Sequence, residues 1–119
     1  MGAATAAAAG VLVMALAGSV VAHSLLLESS PVAGVTLTDS PPQISLRFNN
    51  RIEKKLSTIR VLDERGASRP VTVLVADGPA ERMTAALPPL AVGAWRVEWQ
   101  VLSTDGHIVR GSFSFRIAR

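Results

Sequence analysis

The chain contains two histidines, His23 and His107, and no cysteine. With thiolates absent, imidazole nitrogen and carboxylate oxygen are the side-chain donors left for a transition metal. His107 stands two residues after Asp105, with Gly106 between them. In extended backbone, positions i and i+2 point to the same side, so this spacing lets the Asp105 carboxylate and the His107 imidazole converge on one point. His23 follows directly on the small-residue sequence Val20-Val21-Ala22. A cut after Ala22 would give His23 a free α-amine beside its imidazole, two nitrogens able to chelate one ion from a single residue. Their ordinary pKa values, about 7.7–8.0 and about 6.5, let a divalent metal displace protons from both near neutral pH. Together His23, Asp105 and His107 form a nitrogen-rich set with one carboxylate. Tetragonal ligation of that kind favours Cu(II), and imidazole also suits Zn and Ni. Each piece has a plainer explanation on its own: a histidine after an export signal is usually an accident, and Asp-Gly-X is usually just a turn.

Other chemistry finds little support. Ser24, Ser29 and Ser30 lie near His23, but no Gly-x-Ser-x-Gly elbow accompanies them and nothing orients a base. Glu53 and the pair Asp63-Glu64 fall in turn-like stretches with arginines nearby, which suits a solvated surface. Twelve Lys and Arg against nine Asp and Glu leave a net charge of +3. The cations are scattered from Arg47 to Arg119 with no run longer than Lys54-Lys55, and aromatic residues are few. A nucleic-acid surface would cluster them, so no nucleic-acid partner is expected.

The elements that must position these residues begin after residue 22. Residues 2–22 carry no charged side chain, with an apolar centre at Val11 to Leu16 and the small-residue exit at Ala22. That is the form of a secretory signal peptide, although the usual basic residue near the start is missing. A stretch of about 20 apolar residues could also span a bilayer as a retained anchor, but alanine and glycine are weakly apolar and the exit suits cleavage. Residues 1–22 are therefore read as a signal peptide and residues 23–119 as one domain, exported and without stable membrane insertion after cleavage.

From His23 onward, short apolar stretches are separated roughly every 8 to 12 residues by Pro, Gly, Asp or Asn, the spacing of antiparallel β-structure. Period-two alternation marks half-buried strands at Ile44, Leu46 and Phe48, at Val71, Val73 and Val75, and at Met83, Ala85 and Leu87. It returns at Trp95, Val97, Trp99 and Val101, and at Val109, Gly111, Phe113, Phe115 and Ile117, with Arg96, Glu98, Arg110 and Arg116 on the wet face. Trp95 and Trp99 share a face and belong to the core. Adding Leu25 to Glu28 and Thr58 to Asp63 gives about seven strands, as in an immunoglobulin-like, Greek-key antiparallel β-sandwich. With no cysteine, the sandwich is disulfide-free and must rest on its core.

The two ends of this domain resemble the CopC family of periplasmic copper-binding proteins. The opening, His23-Ser24-Leu25-Leu26-Leu27-Glu28-Ser29-Ser30-Pro31-Val32-Ala33-Gly34, is similar to the family's histidine at the mature terminus, strand and Ser-x-Pro-x-x-Gly turn. Leu37, Pro41-Pro42 and Ile44-x-Leu46-x-Phe48 continue it. The run from Gly93 through Trp95, Trp99, Ser103 and Asp105-Gly106-His107, then Gly111 and Phe115, resembles the family's other signature. The resemblance implies a β-sandwich holding one Cu(II) through the amine and imidazole of His23, the carboxylate of Asp105 and the imidazole of His107. It implies a role in copper homeostasis or resistance rather than catalysis, with a membrane copper transporter of the CopD type as candidate partner. Some members add a methionine-rich Cu(I) loop, whereas residues 23–119 contain only Met83, so no Cu(I) site is expected. Many members also have an acidic residue where this chain has Asn49-Asn50, so support for the ligands must come from elsewhere.

Two rival functions remain. A terminal histidine also builds the histidine brace of copper oxygenases, but the domain is short and the chain has no tyrosine. A β-sandwich binding another exported protein by an edge or loop would need no metal at all.

Overall fold

The computed structural model describes residues 25–119; residues 1–24, and with them the expected signal peptide and His23, lie outside the described residues. Among the described residues, nine strands form two sheets. The four-stranded sheet runs β1-β3-β7-β6, with β1 at Leu26–Ser30, β3 at Gln43–Phe48, β6 at Thr72–Val73 and β7 at Arg82–Ala86. The five-stranded sheet runs β2-β9-β8-β4-β5, with β2 at Thr36–Leu37, β4 at Thr58–Leu62, β5 at Ser68–Arg69, β8 at Gly93–Leu102 and β9 at Ile108–Ile117. The expected sandwich is present, and two things are added to it. β2 and β5 are two-residue strands too short to show alternation, and β2 pairs with β9 in parallel, which no local pattern announces.

Alternation places the core where the sequence puts it. Ile44, Leu46 and Phe48 from one sheet meet Val61, Trp95, Val97, Trp99, Val101 and Ile117 from the other, all buried. Phe48 and Trp99 contact edge to face with ring centroids 5.2 Å apart, the favoured geometry for an aromatic pair. The strand expected through Val71, Val73 and Val75 shrinks to Thr72–Val73. The Asp77 N–H bonds back to the Leu74 carbonyl at 3.1 Å, and this turn draws Val75 out of the sheet to 42% exposure.

The Asp63-Glu64 pair does more than solvate the surface. Asp63 Oδ1 accepts the N–H groups of Arg65 and Ala67 at 2.9 and 3.0 Å, while Oδ2 takes Arg69 at 3.1 Å. An Asx turn of this kind closes the β4–β5 hairpin, and Gly66 supplies the positive φ of +82° that it needs. Glu64 Oε1 accepts the Ala94 N–H at 3.0 Å, tying that hairpin to the start of β8.

Candidate metal centre

β8 and β9 pair without a break from Gly93↔Ile117 to Leu102↔Ile108, and residues 103–107 connect them. The Gly106 N–H bonds to the Ser103 carbonyl and the Ser103 N–H to the His107 carbonyl, both at 2.9 Å. Gly106 has φ +93°, a backbone state that side chains other than glycine's disfavour. This closed turn brings His107 Nδ1 to 3.2 Å from Asp105 Oδ1. The two side chains converge as expected, though by a tight turn and not by the extended spacing read from the sequence. Each is about half exposed, at 50% for His107 and 49% for Asp105, so an ion can reach them from solvent.

The donor set fits a transition metal. Asp105 Oδ1 and His107 Nδ1, 3.2 Å apart, would offer one carboxylate oxygen and one imidazole nitrogen to the same ion, a donor pair that suits Cu(II), Zn or Ni. If Nδ1–H instead donates to Asp105, that bond orients the imidazole, and Nε2 would be the atom to meet an ion.

Ser103 sits under the turn and was not singled out from the sequence as a functional residue. It is buried to 1% exposure and its hydroxyl donates to Asp105 Oδ1, while its Oγ lies 3.3 Å from the His107 N–H. These bonds hold the Asp105 carboxyl below its ordinary pKa, the Ser103 hydroxyl contributing most and His107 next. A carboxylate so stabilised stays ionised well below neutral pH. One sequence signal could have found it. Trp95, Val97, Trp99 and Val101 fix the core parity of β8, and Ser103 continues it; a hydroxyl in core phase must find a partner.

The other half of the expected site, His23, lies outside the described residues. Its neighbour Leu25 is described. The Asn49 N–H donates to the Leu25 carbonyl at 3.0 Å, and the Leu25 N–H donates to Asn49 Oδ1 at 2.7 Å. The Thr104 N–H donates to the Arg51 carbonyl at 3.1 Å, and Ile52 bridges to Ser103. Residues 49–52 thus touch both the start of β1 and the turn that carries Asp105 and His107. Among the described residues no cluster of three or more His, Cys, Asp or Glu is present, so Asp105 and His107 are a two-donor half-site there.

Comparison with known proteins agrees with this architecture. The CopC domain model matches residues 26–118. The chain belongs to the CopC domain family. Among CopC relatives, Copper resistance protein C of Escherichia coli is 32% identical over 116 residues, covering 91% of each chain. Copper resistance protein C of Xanthomonas campestris pv. juglandis is 33% identical over 107 residues, covering 83% of each. The crystal structure of CopC from Methylosinus trichosporium OB3b superposes with a TM-score of 0.74 at 36% identity, over 80% of this chain and 93% of that one. The CopC match begins at Leu26 and ends at Ala118, so it contains both strands that carry the Asp105–His107 turn.

Proposed function

We propose that this chain is an exported Cu(II)-binding protein, a periplasmic carrier or buffer in copper homeostasis or resistance, with no catalytic role. One ion is held by the α-amine and imidazole of His23, freed by cleavage after Ala22, together with the Asp105 carboxylate and the His107 imidazole. The observation that carries this is the convergence of Asp105 and His107 at 3.2 Å in a solvent-facing turn. The copper in the relatives' names supports the choice of ion, as does the mixed nitrogen and oxygen donor set. Met83 is fully buried in the core and offers no thioether at the surface, which favours Cu(II) over a soft Cu(I) site. When bound, the metal supplies no reaction here: it is cargo. Ser103 and the turn keep Asp105 ionised and His107 oriented, and the exposure of both leaves the ion accessible to an acceptor such as a CopD-type membrane transporter.

The test begins with the mass of the exported protein, which should give His23 as its first residue. Placing one alanine ahead of His23 moves the amine off the imidazole-bearing residue. Cu(II) affinity in a competition titration should fall by more than about tenfold, the scale on which even indirect changes to a metal site act. Equal affinity with and without the added residue would refute the proposal.

A further inference from the structure

The structure assigns to Asn49 the positioning of the amino-terminal half of the copper site, an inference that rests on the function proposed above. The β1–β3 ladder ends at Leu26↔Phe48, and beyond that pair the β3 backbone bends away at Asn49 and Asn50. A main chain leaving a sheet normally takes its hydrogen bonds with it. Here Asn49 keeps Leu25 on both sides: its own N–H donates to the Leu25 carbonyl, and its side-chain oxygen accepts the Leu25 N–H. The amide oxygen does what the departed backbone carbonyl of β3 would have done, lengthening the ladder by one residue toward the chain start.

Packing does not explain the order at Leu25. Its side chain is 53% exposed, so burial contributes little, and the register slips between Leu26 and Glu28, where a bulge interrupts the pairing. The strand is therefore weakly specified at this end by its apolar side chains, and the pair of bonds to Asn49 fixes where it starts. Leu25 is two peptide links from position 23, at most about 7 Å of chain. Two residues beyond Asn49, the Arg51 carbonyl holds the Thr104 N–H at 3.1 Å, at the head of the turn bearing Asp105 and His107. The segment 49–52 thus registers two parts of the chain some eighty positions apart, and the Asn49 side chain is its grip on the amino-terminal part. Metal binding to a donor already held close loses less freedom than binding to a loose one.

The test is a double-mutant cycle on protein recovered after export, with its first residue verified by mass. Asn49→Ala removes the acceptor; the added alanine ahead of His23 removes the amine chelate. In the normal protein Asn49→Ala should weaken Cu(II) binding roughly three- to tenfold, the scale of one net hydrogen bond. In the protein with the added alanine it should cost nothing further. Asn49→Asp, which keeps an acceptor oxygen, should restore the binding, and the hydrogen-exchange protection of the Leu25 amide should be lost in Asn49→Ala and kept in Asn49→Asp. The donor side gives an independent variant: Leu25→Pro lacks the N–H and should reproduce the Asn49→Ala loss even if that variant folds poorly. Equal losses with and without the added alanine would show a general effect on the fold and overturn the assignment. So would undiminished affinity in Asn49→Ala and Leu25→Pro while the added alanine still weakens binding; that result leaves copper binding at His23 standing. If the added alanine alone changes nothing, copper binding at His23 is refuted and the role of Asn49 goes with it.

Discussion

Replacing Gly111 by alanine reverses the sign usually expected of such a change. Gly111 lies in β9 opposite Trp99, and it is not among the glycines with positive φ. In ordinary strand backbone, alanine in place of glycine would stabilise by roughly 0.5–1 kcal/mol through chain entropy. At this position a methyl group would stand 2.7 Å from Trp99 Cε2 and 2.8 Å from Cη2, and nearer still to Cζ2. The indole occupies the space a side chain would take, and it cannot retreat freely, because it is 8% exposed and packed edge-on against Phe48 at 5.2 Å. Among the described residues its Nε1 has no hydrogen-bond partner, so displacement there forfeits packing and not a bond. Overpacking of this kind costs about 1–3 kcal/mol, which outweighs the entropy gain and leaves the variant less stable by about 1–2 kcal/mol. For a domain of this size that corresponds to a melting temperature lower by roughly 5–15 °C. The assay is thermal unfolding of metal-free protein followed by circular dichroism. A second arm uses Trp99→Leu, in which the methyl has room and Gly111→Ala should become neutral or stabilising. Gly111→Ala protein melting at or above the wild-type temperature in the Trp99 background would refute the reasoning.

Ser103→Ala should raise the Asp105 carboxyl pKa, since the Ser103 hydroxyl is the largest cause of its lowering, and should weaken Cu(II) binding roughly 10- to 100-fold, as loss of a ligand-orienting group does; carboxyl-selective NMR titration and a copper competition titration check the two effects. Acid should weaken the β4–β5 hairpin through Asp63. Its folded pKa lies below the ordinary aspartate value of 3.8, chiefly because of the Ala67 N–H, so the unfolded chain binds more protons and stability falls as pH drops through that window. Asp63→Asn does not titrate, and its unfolding midpoint should therefore change less than wild type between about pH 4 and pH 2 in urea melts.

Much of the sandwich was legible because its cause is local. Ile44-x-Leu46-x-Phe48 and Trp95-x-Val97-x-Trp99-x-Val101 bury one face at period two, and a strand with one wet face can satisfy that pattern in only one register. The strand through Val75 was overestimated because an i to i+3 turn from Leu74 to Asp77 competes with the ladder, and the parallel β2–β9 pair was invisible because two residues carry no period. Asp105 and His107 stood out as candidate donors from residue type and spacing, and their convergence is a matter of geometry within three residues.

What surrounds the candidate site was decided only by tertiary structure. Asn49 reads in the sequence as a missing carboxylate, yet its amide grips Leu25 across 24 positions. Ser103 reads as one more small polar residue until burial forces its hydroxyl onto Asp105. Residue types are set by the chain alone, whereas the partner of a polar group depends on which distant backbone arrives beside it. That arrival follows from closing the two sheets over one core: burial leaves the Ser103 hydroxyl no solvent to fall back on, while the exposed Asn49 meets Leu25 because β1 and β3 lie side by side.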